Sequence, residues 1–352
     1  MMPEWYPAHP PIYDIHKTYA ENAAEGPFFK GLIPKRPAVK KPFDFFGYKV
    51  NFPIGVPAGP LLNSKWIELA GKLGFDIPTY KTIRSSAHPG HALPNVIFID
   101  ETGRQIEKPG PLSELTITNS FGMPSKSPDF LLQDIDRANR SLGEGQVMIV
   151  SVVGTPNQGM SFADDFVRTA VMAKEAGAKI IEANFSCPNV EKADGILYMS
   201  PETVHEYARA ISRAIHPIPF LIKVGVFPNA HVMKSVLLAA ARGGCAGVCG
   251  INSVSMQVTG PDGRAALGES RKTSGVCGGA IRKEALHFLR DAHQIISQEK
   301  LDLVLLGCGG IMQQEHFGEF FEAGAKIAMT ATGMMWDPYL ALRYYAHSLA
   351  HS

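Results

Sequence analysis

Three neighbouring stretches decide the fold: residues 178–185 read AKIIEANF, residues 201–215 read PETVHEYARAISRAI, and residues 220–224 read FLIKV. The first and third are short, apolar and partly β-branched, as buried parallel strands are. The second has the spacing of an amphipathic helix. A strand, a helix and a strand in this order predict one βαβ unit.

The same alternation extends in both directions from this unit. We interpret eight apolar runs as strands: residues 54–58, 79–83, 147–153, 178–185, 220–224, 247–251, 303–306 and 327–331. Helical stretches follow several of them, at residues 64–73, 162–176, 201–215, 231–242 and 313–323. Eight such units in about 280 residues predict an α/β fold closed into a (β/α)8 TIM barrel rather than an open sheet.

Two stretches depart from this alternation. Residues 1–50 contain several prolines and a basic cluster at 35–41, and we expect them to form an N-terminal extension outside or under the barrel. The barrel domain would then span residues 51–352. Residues 84–130 are too long for a simple βα connection, and long insertions of this kind are often functional, so we expect them over the catalytic face.

Composition excludes several other classes of protein. The formal net charge of the 352 residues is +1, which does not suggest a nucleic-acid partner. Neither a long apolar run nor a signal-peptide pattern is present, so we expect a cytoplasmic protein without a membrane partner. The 5 cysteines lack CxxC spacing, which argues against a disulfide framework and against a metal or iron–sulfur site.

Unusual polar and glycine residues concentrate where the predicted strands end. In a (β/α)8 barrel these ends share one mouth, so their coincidence predicts a single site there. The residues are Ala58, Gly59, Lys81, Thr82, Asn184, Ser186, Cys187, Asn189, Lys223, Asn252, Ser253, Gly309, Gly310 and Thr332.

Two features of this set suggest a phosphate-bearing cofactor. The glycine-rich turn at 307–310, joined by Gly278 and Gly279, would let backbone N–H groups approach a phosphate. Lys81 and Lys223 stand inside apolar strands, where a cation could stabilise negative charge on a reduced cofactor. The alternatives are a tight turn without a ligand and lysines that reach solvent.

The segment 183–189, ANFSCPN, is the most specific of all. Asparagines at a strand end can bind the amide and carbonyl edges of a planar ligand. Cys187 between them could accept a proton from a substrate carbon. The alternative is an inert buried thiol.

These residues resemble the dihydroorotate dehydrogenases, FMN-dependent barrel enzymes of pyrimidine biosynthesis. The segment Asn184–Asn189 is similar to that family's Asn-Leu-Ser-Cys-Pro-Asn motif, and Asn119–Pro124, NSFGMP, is similar to its Asn-Ser-Met-Gly-Leu-Pro substrate loop. The resemblance covers roughly residues 50–340. A cysteine at position 187 is typical of the soluble branch.

The resemblance implies oxidation of dihydroorotate to orotate. Cys187 would take a proton from C5 while hydride leaves C6 for FMN, with Lys81 and Ser186 as further catalytic residues. The implied substrate-binding residues are Lys81, Asn119, Gly122, Met123, Asn184, Asn189, Asn252 and Ser253. The implied cofactor-binding residues are Ala58, Gly59, Lys81, Thr82, Asn184, Lys223, Ser253, Gly278, Gly279, Gly309, Gly310 and Thr332.

The resemblance is incomplete at three places, one of which is the segment after Asn189, where the family's Pro-Gly-Lys-Pro run is absent. His88 and Asn95 stand near positions where soluble relatives carry arginines, and residues 330–333 read TATG where the family has Ile-Gly-Thr-Ala. A flavin barrel acting on another dihydropyrimidine-like or enoate substrate is therefore one alternative. A catalytically silent phosphate-binding barrel and a phosphosugar barrel without flavin are others. We expect a homodimer, with an electron-transfer partner subunit as the alternative. The sequence does not specify the electron acceptor.

Overall fold

The structure is a computed structural model that describes residues 10–36, 39, 41–156, 159–186 and 197–350. Its strands in chain order are β1 (Phe43–Phe45), β2 (Tyr48–Val50), β3 (Ile54–Val56), β4 (Ile77–Ile83), β5 (Val96–Phe98), β6 (Thr116–Asn119), β7 (Ile149–Val152), β8 (Ile180–Asn184), β9 (Phe220–Lys223), β10 (Gly247–Gly250), β11 (Val254–Gln257), β12 (Thr273–Gly278), β13 (Val304–Cys308) and β14 (Ile327–Met329).

Eight of these strands close into a parallel barrel. Each pairs with the next barrel strand along the chain, in the order β3, β4, β7, β8, β9, β10, β13 and β14, and β14 pairs back with β3. The predicted (β/α)8 barrel is confirmed, and every predicted strand lies within two residues of an observed one at each end. Short apolar runs located these strands well because both of their faces are buried.

The helices are α1 (Tyr19–Glu25), α2 (Ser64–Lys72), α3 (Pro128–Ser141), α4 (Phe162–Glu175), α5 (Pro201–Ile215), α6 (Ala230–Arg242), α7 (Arg282–Gln298), α8 (Gln314–Glu322), α9 (Thr332–Trp336) and α10 (Leu340–Ala350). Serine or asparagine side chains cap the N-termini of several barrel helices, at Asn63, Ser127, Ser161, Ser200 and Asn229. Each cap accepts a hydrogen bond from an otherwise unpaired backbone N–H, which fixes where the helix begins. None of the described helices is long and apolar enough to cross a membrane.

The interior of the barrel is apolar at the end where the strands begin. Ile77, Ile180 and Leu221 form one buried cluster there with Phe45 and Val50 of the β1–β2 hairpin. The hairpin therefore closes the barrel from below, as expected for part of the N-terminal extension. The opposite end, where the strands finish, is left open for polar side chains.

A second sheet lies beside the open end of the barrel. It has four antiparallel strands in the order β11, β12, β6 and β5. Strands β5 and β6 come from the predicted insertion, whereas β11 and β12 come from a second long connection that follows β10. The pairing aligns Gly275 of β12 with Asn119 of β6, so two distant insertions fix each other.

The earlier part of the N-terminal extension also lies at the open end. Tyr13 packs with its ring centroid 6.0 Å from those of Trp66 and Phe121. The Asn63 side chain donates a hydrogen bond of 2.7 Å to the Ala23 carbonyl, which ties α1 to the start of α2. The extension thus reaches both ends of the barrel, a position that we did not expect from its sequence.

Asp76 anchors the extension at the lower end. Its carboxylate is fully buried and accepts hydrogen bonds from Arg36 at 2.7 Å, from the Phe52 backbone N–H at 3.0 Å and from Gln146 at 2.9 Å. Burial raises the pKa of Asp76, and the Arg36 guanidinium opposes that effect. We expect this carboxylate to stabilise the fold mainly because, without it, its buried hydrogen-bond donors would have no acceptor.

We therefore expect Asp76→Ala to lower the free energy of unfolding by about 3–5 kcal/mol, because it leaves the Arg36 cation half-buried without its partner. Urea unfolding measures the change. Glu68→Ala is the matched control, since it removes an exposed pair with Lys72 and should cost under about 0.5 kcal/mol. Equal losses in the two variants would contradict this role of Asp76.

Candidate active site

A cavity opens where the barrel strands end, and residues from the four-stranded sheet and the N-terminal extension complete its wall. Most of the predicted site residues line it: Ala58, Gly59, Lys81, Thr82, Asn119, Met123, Asn184, Lys223, Asn252, Ser253, Gly278, Gly309, Gly310 and Thr332. Gly122, Ser186 and Gly279 do not line it. Cys187 and Asn189 lie outside the described residues, so their roles stay predictions.

An irregularity in β4 brings two consecutive residues to this cavity. The register of β4 against β7 shifts between Tyr80 and Ile83. Such a bulge interrupts the usual alternation of side chains, and Lys81 and Thr82 both line the cavity as a result. The Thr82 hydroxyl lies 3.0 Å from that of Ser151, which holds it in place.

Lys223 is a buried cation in the wall of the cavity. Only 3% of its surface is exposed, and it pairs in register with Asn184 of β8 and Cys249 of β10. Burial lowers the pKa of Lys223, but Cys249, Cys308 and Glu182 raise it by more, so that the net pKa lies above its ordinary value. The site therefore presents a permanent positive charge at neutral pH.

Three polar side chains form a fixed network around Asn184. The backbone N–H and the hydroxyl of Ser186 donate to Asn184 Oδ1 at 3.2 and 3.1 Å. Asn252 Nδ2 donates to Ser186 Oγ at 2.8 Å. Ser186 thus links Asn184 to Asn252, although it does not line the cavity itself.

The predicted substrate loop turns sharply at two residues. Gly122 and Met123 both have left-handed backbone, with φ of +74° and +48°. A Cβ at Gly122 would lie 2.6 Å from the His91 ring, so glycine is required there. The Arg84 side chain, which is buried, donates to the Met123 carbonyl at 2.9 Å. Strain in a non-glycine residue held in this way is typical of functional loops.

His88 and Asn95, the two residues that stand near the family's arginine positions, contact the backbone of this loop and its neighbours. Asn95 Nδ2 donates to the carbonyls of His91, Ala92 and Ser120 at 3.1–3.2 Å. The backbone of His88 pairs with that of Ser125. Neither His88 nor Asn95 lines the cavity. Their replacement of arginines therefore affects how the loop is held more than what a ligand contacts.

The glycine turn after β13 leaves donors free for an anion. Gly309 and Gly310 have left-handed φ of +115° and +87°, and a Cβ at Gly310 would lie 2.5 Å from Arg282 Cα. Their N–H groups donate to no other group within the described ranges. The N–H of Gly279, by contrast, already donates to the Leu115 carbonyl at 2.9 Å. A phosphate would therefore be held at Gly309 and Gly310 rather than at Gly279.

The open space beside Gly59 is consistent with a bound ligand. A Cβ at this position would meet no atom within 4 Å, although Gly59 lies in the cavity wall. Gly59 thus borders open space in the cavity rather than packed side chains. Together with the free N–H groups of the turn and the two lysines, this fits a planar cofactor that carries a phosphate.

Two tyrosines of the N-terminal extension complete the wall. Tyr13 and Tyr19 both line the cavity and are nearly buried, and the Tyr13 hydroxyl has no hydrogen-bond partner among the described residues. Burial raises the pKa of both phenols, so they stay protonated and can donate. Sequence reasoning missed them because Tyr13 lies in an irregular segment and Tyr19 begins a helix of only 7 residues, so neither belongs to a periodic pattern that shows where it packs.

Comparison with known proteins gives this site a family. The sequence pattern described as dihydroorotate dehydrogenase matches residues 42–350. A dihydroorotate dehydrogenase from Dictyostelium discoideum is 45% identical over 97% of this chain and 98% of its own length.

More distant relatives share only part of the chain. A subunit of an NAD-dependent dihydropyrimidine dehydrogenase from Escherichia coli K12 is 33% identical over 58% of this chain and 49% of its own. A fumarate-type dihydroorotate dehydrogenase from Limosilactobacillus reuteri is 30% identical over 50% of this chain and 54% of its own. The match over nearly the whole length decides the assignment, and the chain belongs to the dihydroorotate dehydrogenase family.

Proposed function

We propose that this protein oxidises dihydroorotate to orotate and that FMN is its cofactor. The observation that carries the proposal is the cavity in which two buried lysines, an asparagine network and an anion-binding turn meet. Membership of a family of flavin-dependent oxidoreductases supports it.

The cofactor side of the cavity would be formed by Lys223, Gly59 and the Gly309–Gly310 turn. FMN, when bound, supplies the acceptor for the hydride that leaves the substrate. Lys223 would hold the edge of the ring system where negative charge collects on reduction, because its own charge is permanent and desolvated. The turn would bind the phosphate through its two free N–H groups.

The substrate side would be formed by Asn119, Asn184 and Asn252. Their amides can donate to carbonyl oxygens and accept from ring N–H groups, which matches the edge of a pyrimidine. Lys81 lies in the same wall and would balance the substrate carboxylate. We propose Cys187 as the base that removes the C5 proton, since a positioned base is needed as the hydride leaves C6.

The electron acceptor and the assembly are part of the proposal. The names of the relatives differ in the electron acceptor: one contains fumarate, and others contain NAD. The names with NAD describe those relatives as subunits. We propose a cytoplasmic homodimer, and we keep an electron-transfer partner subunit as the alternative. The mass of the purified protein in solution tests the first, and turnover by the isolated chain with fumarate tests the second.

Anaerobic titration of the purified protein with dihydroorotate tests the function directly. We expect a yellow protein whose visible flavin absorbance is lost at one equivalent of substrate. Dihydrouracil is the control and should leave the absorbance unchanged. Bleaching by dihydrouracil instead would point to the alternative dihydropyrimidine substrate, and a colourless protein after FMN addition would overturn the proposal.

Replacing Cys187 by Ala should leave the flavin bound and slow its reduction by about 10²–10⁴-fold, the usual effect of losing a general base. Stopped-flow measurement of the anaerobic half-reaction gives the rate. Cys245→Ala is the control, because Cys245 is buried near the start of β10, away from the cavity. Normal reduction in the Cys187 variant would remove this residue from the mechanism.

Replacing Lys223 by Gln should weaken FMN binding by about 10- to 100-fold, since a charge-assisted hydrogen bond is lost. Fluorescence titration of the apoprotein with FMN measures the affinity. Lys326→Gln, at an exposed position before β14, removes the same charge from the surface and should have no effect. Equal FMN affinity in the two variants would contradict the role of Lys223.

A further inference from the structure

A glutamate lies inside the barrel, one level below the cavity. Glu182 is fully buried in the middle of β8, and it is the one glutamate that is buried among the described residues. Side chains two residues apart on a strand point to the same side, so Glu182 faces the barrel interior beneath Asn184. Neither of its carboxylate oxygens accepts a hydrogen bond from the described residues.

The groups around Glu182 make this position unusual. Glu182 pairs in register with Leu221, two residues before Lys223, and the charge of Glu182 acts on that lysine. Cys249 and Cys308 complete the group, with their sulfur atoms 3.8 Å apart. Burying a carboxylate without hydrogen-bond donors is costly, and the charge of Lys223 offsets part of that cost.

We propose that Glu182 is a positioning residue for the charge of the site, and that it lowers the reduction potential of the bound flavin by opposing Lys223. The inference rests on the proposed function, because it takes the cofactor to be a flavin. Glu182 does not reach the cavity, so it acts through space and through Lys223.

The sign of the effect follows from simple electrostatics. A flavin gains negative charge on reduction, so Lys223 favours the reduced form, whereas the carboxylate of Glu182 below it, when ionised, disfavours that form. The barrel interior screens these charges poorly. Glu182→Gln keeps the size of the side chain and removes its charge. Cys249 and Cys308, which also raise the pKa of Lys223, remain in the variant.

The test is a reduction of the holoenzyme by xanthine and xanthine oxidase in the presence of a reference dye. This reductant does not depend on dihydroorotate. The two proteins are compared at the same ratio of reduced to oxidised dye. We expect the ratio of reduced to oxidised flavin to be about tenfold higher in Glu182→Gln than in the unmodified protein. A ratio within twofold of the unmodified protein, or a lower one, would overturn the inference.

Two variants separate charge from packing. Glu182→Asp keeps the charge and should stay within about threefold of the unmodified protein. Asp134→Asn also replaces a buried carboxylate, which accepts from Ser64 and Tyr80 outside the barrel wall, and it should leave the ratio unchanged. If Asp134→Asn changed the flavin ratio as much as Glu182→Gln does, the reduction potential would respond to the loss of any buried carboxylate, and the inference would be overturned.

A second measurement applies if Glu182→Gln does not fold. The reduced-minus-oxidised infrared spectrum of the unmodified holoenzyme, labelled with ¹³C-glutamate, should contain a label-sensitive carboxylate band. No such band would overturn the inference. If dihydroorotate fails to reduce the flavin but the dye experiment gives the expected ratio, only the proposed substrate falls. A protein that binds no flavin would overturn both proposals.

Discussion

Closure of eight parallel strands in chain order is the constraint on which the rest of the structure depends. Once β14 pairs with β3, all eight strands finish at one mouth, and residues separated by more than two hundred positions become neighbours. Lys81, Lys223 and Gly309 meet there only because of this closure. The four-stranded sheet and the N-terminal extension then have one open surface to cover, and both contribute residues to its wall.

The barrel separates two environments along its axis. The lower end is filled by aliphatic side chains and sealed by the β1–β2 hairpin, whereas the upper end contains lysines, asparagines and a glutamate with little access to water. Burying a single charge at this end costs free energy through desolvation, and an opposite charge nearby offsets part of that cost. The balance among Lys223, Glu182 and two thiols is consequently a property of the group, so changing one member alters the behaviour of the others.

Local sequence patterns predicted the barrel because each strand and helix carries its own signal. The runs at 178–185 and 220–224, and the helix between them, needed no knowledge of distant contacts. The sheet formed by β5, β6, β11 and β12 did need it, since its two local pairs are joined by β6 and β12, whose paired residues lie more than a hundred positions apart. The sequence analysis did not identify Tyr13 and Glu182 for the same reason, because burial and strand register are properties of the assembled fold. The glycine pair at 278–279 likewise gave no sign that the N–H of Gly279 already donates to a carbonyl. The residues indicated by motif resemblance include Asn119, Asn184 and Lys223, all of which line the cavity.

The contact between the two ends of the chain has a consequence for biosynthesis. The hydroxyl of Tyr339 donates to the Leu32 carbonyl, and the ring of Tyr345 stacks on Phe52 at 3.8 Å. Because β3 also pairs with β14, one edge of β3 and the early residues Leu32 and Phe52 gain these partners only after β14 and the residues that follow it have been synthesised. During translation β3 therefore keeps one unpaired edge, and the Phe52 ring lacks its stacking partner, for most of synthesis. Until β14 has been synthesised, that strand edge is open to pairing with other chains.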